Sequence, residues 1–281
     1  MSHGARLPRL LGELALTEEI RERVATVAYD DAGHGYDALG LHRDGITNGL
    51  VVTRPLYDLW FRVRSSGIEH IPASGPALLA VNHSGMLPLD AMMLWHDVLR
   101  QTKPPRVLRV VMDLFVPWMP VVSTLFAGGG AVSGSRGNLS HLLDHGELVA
   151  VFPEGVGGIA KGFSKRYELQ TWHVGHAELA LEHRVPIVPV AIVGAEEAWP
   201  QLGTWKRFHW FGAPHLPIPA TPLPLPVRFE ILYGEPLALH ARFDPRRAND
   251  PDVAAAAAFE VKTAVQALLS HGLARRRGWF Q

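Results

Sequence analysis

The chain has 281 residues, 47% of them hydrophobic, with 27 basic and 27 acidic side chains and no cysteine. That length and apolar content suffice for one substantial core, while a formal net charge of zero argues against nucleic acid, whose phosphates call for a basic excess. The missing cysteine excludes disulfides, thiolate metal sites and a cysteine nucleophile, and it suits a reducing cytoplasm.

In chain order, residues 1–54 read as an N-terminal helical segment followed by a connector rich in Asp and Gly (Asp30, Asp31, Gly33, Gly35), and residues 55–281 as one α/β domain. Glu13, Glu18, Glu19 and Arg21 break any early apolar run, so no secretory signal is read. The segment from Pro55 to Val63 predicts a short helix with aromatics on one side and Arg62 on the other. That face suits either its own domain or a lipid headgroup boundary. Strands are predicted at Ala77–Val81, Val107–Val111, Leu148–Phe152 and Pro186–Val193, all continuous apolar runs typical of strands buried on both faces. The two prolines in the fourth run predict an edge position or irregular pairing. A fifth strand, Val227–Tyr233, alternates apolar and charged residues and is predicted at an edge.

Helices are predicted over Leu89–Leu99, Leu139–His145 and Trp172–Glu182, with a final Ala-rich helix over Val253–His271 that ends at Gly272. Alternating strands and helices predict a mainly parallel sheet flanked by helices on both sides. The proline-rich span 214–226 predicts an extended loop. The longest apolar stretch, Val110 to Ala127, is interrupted by Asp113, Pro117 and Pro120 and predicts no transmembrane helix. Within it, Leu114, Phe115, Trp118 and Met119 either pack on the core or touch a bilayer surface.

The chemistry concentrates at strand ends. The run Ala77 to Val81 leads into Asn82-His83, a turn permitted by Gly85, and a helix starting at Pro88 with Asp90 in its first turn. An imidazole and a carboxylate thus meet one rim of the sheet, as base-assisted chemistry on a hydroxyl requires. Alternatively, Asp90 simply complements the helix dipole. Residues seven apart on a straight helix lie roughly 10 Å apart, so contact requires His83 to fold back from the loop.

Three further blocks follow. Gly128 to Asn138 offers close backbone approach and, in Arg136, a planar fork for a phosphate or carboxylate, with Asn138 as a helix cap. Val149 to Gly155 strands Glu154 at the end of a buried run, costly unless it binds a polyol or pairs with Arg136 or Lys161. The last is Val185-Pro186-Ile187-Val188-Pro189-Val190, by itself a structural feature.

Together, these four ordered blocks over residues 55–240 resemble the glycerolipid acyltransferase family, which includes the lysophosphatidic acid acyltransferases. The resemblance implies His83 as general base with Asp90 as its partner, and Asn82, Arg136, Glu154, Gly155 and Lys161 on the substrate-binding side. The final block would support the acyl chain. It also implies an acyl thioester donor (acyl-CoA or acyl carrier protein) as co-substrate, a glycerolipid acceptor, no other cofactor and no metal. Two departures stand out. Six residues rather than the family's four separate His83 from Asp90, and Val156-Gly157 stand where Thr-Arg usually follows the third block. The second removes a cation from the acceptor side. Lys161, Lys165 or Arg166 would replace it, or the acceptor is an uncharged glycerolipid or another hydroxyl or amine compound.

Rival classes fare less well. An α/β serine hydrolase needs a Gly-x-Ser-x-Gly elbow, and Ser135 lacks the first glycine. Gly128, Gly130 and Gly134 do not have dinucleotide-binding spacing and no phosphate-loop lysine follows. His173 and His176 lie three apart without a patterned third ligand. A non-catalytic lipid-binding protein on the same scaffold is the remaining alternative. A long acyl substrate predicts peripheral association with the cytoplasmic face of the membrane, through Tyr57–Phe61, Leu114–Phe126 or the Arg275–Phe280 tail.

Overall fold

The chain alternates between strand and helix along most of its length. The computed structural model describes residues 17–84, 88–113, 116, 121–205, 216–278 and 280. Its elements are α1 (Glu18–Ala25), α2 (Arg43–Pro55), β1 (Arg64–Ser66), β2 (Ala77–Val81), α3 (Leu89–Gln101), β3 (Leu108–Met112), α4 (Val122–Gly128) and β4 (Val132–Ser133). There follow α5 (Arg136–Asp144), β5 (Leu148–Val151), α6 (Val156–Ala160), α7 (Gly175–Glu182), β6 (Ile187–Val193) and α8 (Ala195–Ala198). The chain closes with β7 (Gln201–Trp205), β8 (Leu216–Pro219), β9 (Glu230–Tyr233) and α9 (Pro251–Arg275).

The sheet has the order β1-β9-β6-β2-β5-β3-β4. Five neighbours from β6 to β4 are parallel, β9 is antiparallel to β6, and β1 runs parallel to β9. Successive strand side chains point to opposite faces, and both faces are covered. Leu79 and Val81 of β2 pack with α1, α2 and α3, whereas Leu78 and Ala80 pack with α5, α7 and α9. The N-terminal helices therefore share the main core. Helix α2 continues through a π turn, Leu56–Trp60, so the expected boundary at 54/55 falls inside one continuous helical segment.

Several local expectations are corrected. The Val227–Tyr233 strand is not an edge: β9 is shorter and lies between β6 and β1, because Arg64–Ser66 supplies a further partner. Strand β6 is interior despite its prolines. Leu78 N bonds to Pro186 O on the β2 side, while Ile187 exchanges bonds with Leu237 and Pro189 O accepts from Gly234 N on the other. The missing N–H of Pro189 thus faces Gly234, just past the end of β9, and costs one bond at the strand's end rather than within the β6–β9 ladder. Part of the proline-rich span forms β8, paired antiparallel with β7. Ser135, not Asn138, caps α5, its hydroxyl accepting from Asn138 N. Helix α9 continues past Gly272. A Cβ there would come within 2.9 Å of Val193 and 3.0 Å of Leu232, so this glycine allows helix-on-sheet contact rather than ending the helix.

By length and composition, α9 is also the one helix among the described residues apolar enough to cross a membrane. Its Ala254, Ala257, Val261, Val265 and Leu269 are fully buried in the core. The expected Gly85 turn, and Leu114, Phe115, Trp118, Met119 and Trp279 among the membrane-contact candidates, lie outside the described residues.

Candidate active site

Strand β2 ends at the rim formed by the C-terminal ends of the parallel strands, the side on which open α/β sheets bind ligands. Asn82 locks that end. Its Oδ1 accepts from Ile192 N at 2.7 Å and its Nδ2 donates to Ile192 O at 3.1 Å, so the amide mimics one more strand pair with β6. Expected on the substrate side, Asn82 is instead turned fully into the sheet.

The next residue carries the central contact. His83 Nδ1 lies 2.8 Å from Asp90 Oδ2. The chain does bend: α3 starts at Leu89, as its helical pattern predicts, with Pro88 preceding it rather than forming its first residue. Asp90 is fully buried and well supplied with donors. Its Oδ2 also accepts from Ser84 N (2.9 Å) and Ser84 Oγ (3.3 Å), and Oδ1 accepts from Ala91 N (2.8 Å). A carboxylate so placed accepts a hydrogen bond from Nδ1–H, which leaves the lone pair on Nε2. Nε2 meets no hydrogen-bond partner among the described residues, and the ring packs on Phe152 with centroids 4.4 Å apart. Burial works against the imidazolium, but the Asp90 charge and hydrogen bond, with Asp113 and Glu154 beyond, outweigh it and raise His83 above its ordinary 6.5.

Glu154 holds His83 from behind. Its Oε1 accepts from His83 N at 3.1 Å and Oε2 from Gln170 N at 2.8 Å. Lys161 Nζ lies 3.5 Å from Glu154 Oε2 and 2.9 Å from Glu196 Oε1. Glu196 in turn accepts from Tyr167 N at 2.8 Å. Burial, only partly offset by Lys161, pushes the Glu196 carboxyl up to about 7. Beside it, Glu197 pairs with Arg276 and, at 3.9 Å, with Arg166. Gly155 turns with φ +51, where the His173 ring is 3.7 Å from the position a Cβ would take. The two histidines differ: His173 is exposed, while His176 is buried, bonds to His173 O at 2.9 Å and is lowered to about 4 by desolvation.

A shallow opening adjoins this network, lined by Gly158, Lys161, Phe163, Arg166, Glu196 and Trp199 among others. Gly158 joins opening and histidine, since a Cβ on it would stand 2.9 Å from both the His83 and the Glu154 Cβ atoms. Arg136 is not brought to the pair. It opens α5, half exposed, and bonds to Glu178 and Glu182 at 2.8 Å each and to Asn249 at 2.9 Å. Sequence reasoning missed Gly158, Gln170 and Glu196. Glu196 carried a usable signal, an acid just past a buried strand, the pattern that singled out Glu154. An imidazole oriented by a buried carboxylate, with its far nitrogen meeting no hydrogen-bond partner among the described residues, can take a proton from a bound hydroxyl.

Comparison with known proteins supplies a family. Residues 62–193 match the family model described as Acyltransferase. An uncharacterized protein of Mycobacterium tuberculosis is 37% identical, over 82% of this chain and 68% of its own length. The human and bovine proteins named DGAT1/2-independent enzyme synthesizing storage lipids are 29% and 30% identical, each over 75% of this chain and 62% and 60% of their own lengths. The fold is similar to that of the 1-acyl-sn-glycerophosphate acyltransferase PlsC from Thermotoga maritima, with a TM-score of 0.57 and 17% identity over 84% of this chain and 81% of that one. The matched blocks and these relatives lead to one assignment: the chain belongs to the Acyltransferase family and is an acyltransferase.

Proposed function

We propose that this enzyme transfers a fatty acyl chain from a thioester, acyl-CoA or acyl carrier protein, to a hydroxyl of a glycerolipid, with His83 as general base. The observation that carries the reading is the 2.8 Å contact of His83 Nδ1 with buried Asp90 at the rim of the sheet. The acceptor O–H gives its proton to Nε2 as its oxygen bonds to the thioester carbonyl carbon. Asp90 holds the tautomer and steadies the imidazolium, an effect on the order of 10²–10⁴-fold. The tetrahedral adduct then collapses, the C–S bond breaks, and the departing thiolate takes the proton back from His83. A thiolate leaves readily, so neither an enzyme nucleophile nor a strong acid is needed.

Charge pairing favours an uncharged acceptor over a phosphate-bearing one. Lys161 is shared by Glu154 and Glu196, Arg166 and Arg276 face Glu197, and Arg136 is held by Glu178 and Glu182. Cations matched to carboxylates have little surplus charge to offer a phosphate, and of the cations named for the acceptor side only Lys165 makes no ion pair among the described residues. The names of the human and bovine relatives, which refer to storage-lipid synthesis, point the same way. Substrates of this kind reside in bilayers, and peripheral association with the cytoplasmic membrane face follows from the reading.

The test is a mass-spectrometric assay with a long-chain acyl-CoA against diacylglycerol, monoacylglycerol and lysophosphatidate, run with wild type and His83→Ala. Product from diacylglycerol or monoacylglycerol, lost in the variant, is expected. Equal product from both proteins removes His83 as base, and a clear preference for lysophosphatidate removes the uncharged acceptor.

A further inference from the structure

Strands β1 and β9 run opposite to the five parallel strands. Their starting ends therefore lie on the rim where those strands finish: Val193 pairs with Glu230, Glu230 with Arg64, and on the same side Val81 pairs with Val190. Strands are spaced about 4.8 Å apart, so three steps put β1 roughly 14 Å from β2 along the catalytic rim.

Three segments distant in sequence meet there. Trp60 Nε1 donates to Pro224 O at 3.2 Å, and Arg62 donates to Pro226 O at 2.7 Å and to Phe280 O at 3.5 Å. Large apolar side chains stand out from each: Leu59 is 75% exposed, Leu223 66% and Phe280 55%, with Trp60 beside them at 39%. The same surface is basic. Arg62 spends its hydrogen bonds on the backbone carbonyls of Trp60, Pro226 and Phe280, which leaves its charge unneutralised. Arg64 is exposed, and neither it nor Arg228 pairs with an acid among the described residues. Of the acids close in sequence, Asp58 is taken by Arg54 (3.4 Å) and Arg100 (2.5 Å), and Glu230, opposite Arg64 in the ladder, makes no ion pair among the described residues. The three charges crowd each other. Partial burial and the Arg64 and Arg62 charges press the Arg228 guanidinium below its ordinary value.

We propose that this end of the rim is the surface by which the chain docks on an anionic lipid bilayer, with Leu59, Trp60, Leu223 and Phe280 entering the acyl boundary and Arg62, Arg64 and Arg228 meeting the phosphates. The inference rests on the reading that the substrates are lipids, and it adds which face meets them. Charge complementarity selects anionic headgroups in a molecule whose overall charge is zero. Exposed leucine and aromatic side chains interleaved with arginine suit the interface between headgroups and chains. An acidic protein partner would use the arginines but would leave the separated Leu59, Leu223 and Phe280 unexplained. Docking here turns the rim that carries His83 toward the bilayer.

The test is co-sedimentation of the full chain with vesicles of phosphatidylcholine alone and of phosphatidylcholine containing one third phosphatidylglycerol. It compares wild type with Arg64→Glu/Arg228→Glu, Leu59→Asp/Leu223→Asp and, as a control outside the patch, Arg246→Glu. Wild type is expected to prefer the anionic vesicles, and each double variant to lose roughly tenfold or more in partitioning, with Arg246→Glu unchanged. Acyl transfer between a short-chain thioester and a water-soluble alcohol is expected to be the same in all four proteins. If that assay is silent while vesicle binding behaves as described, the catalytic reading fails and the docking surface stands. Equal wild-type binding to both vesicle types, double variants that bind like wild type, or a chain that binds acyl carrier protein through these arginines but no vesicle would each overturn the proposal.

Discussion

Asp90 and Asp97 stand seven residues apart on α3, and both are fully buried. Their surroundings separate them. Asp97 accepts from the hydroxyls of Tyr57, Tyr233 (2.7 Å) and Ser65 (2.9 Å), tying the helix to the π turn, β9 and β1. Burial raises its carboxyl, and these hydrogen bonds only partly offset the rise. None of the three donors leads anywhere, and the knot is closed. Asp90 instead faces an imidazole whose other nitrogen points away from it at the rim. A buried acid on a core helix is therefore not in itself a sign of chemistry. The distinction lies in a titratable partner and an opening.

That contrast can be broken experimentally. The largest expected effect is on turnover: His83→Ala lowers kcat by about 10²–10⁴-fold, while at a pH above the His83 titration the urea midpoint stays close to wild type. Asp97→Asn should do the reverse, costing about 1–3 kcal/mol because one buried hydroxyl loses its acceptor, with activity per folded molecule preserved. Equal activity losses from Asp97→Asn and His83→Ala would erase the distinction. Gly158→Ala comes next. Its new methyl must displace His83 or Glu154, and misplacement of a reacting group by about 1 Å costs on the order of 10²-fold in kcat, so a smaller but clear loss is expected, read as a kcat change with little change in melting temperature.

A pH profile sharpens the same comparison. His83 is raised above 6.5 in the folded protein, so the acid limb of kcat/KM should have its midpoint above 6.5. Without the Asp90 charge, burial dominates, and Asp90→Asn should move that midpoint downward. The sign for stability is opposite. The contribution from protonated His83 is complete below 6.5 and is lost as pH rises through the folded value, just as the base form appears. Glu196, up from 4.5 to about 7, likewise contributes stability that is complete below 4.5 and gone above 7. Glu196→Gln should flatten the fall in unfolding free energy between those values, the smallest of these effects, seen by urea titration across pH.

Much of the architecture was legible in the chain. The apolar runs at Ala77–Val81 and Pro186–Val193 marked buried parallel strands because both faces of such strands meet helices. The closing helix was read short at Gly272, since a glycine that admits a neighbouring strand looks in sequence like one that ends a helix. At the site, His83, Asp90, Glu154 and Lys161 were named before the fold and are brought together by it. Asn82 and Arg136 were also named, but their side chains are spent on β6 and on the carboxylates of α7.

Residue order alone determined the central strands β2, β3, β5 and β6, the main covering helices and the presence of an imidazole and a carboxylate near one strand end. These follow from periodicity and from what a buried strand tolerates, which are local properties. Tertiary structure decided which cations are spoken for, that Gly158 abuts the histidine, and that β1 and β9 are reversed so that Leu59, Arg62 and Phe280 share one surface. Those outcomes depend on contacts between segments far apart in sequence, and no local pattern encodes the partner a charged side chain will find.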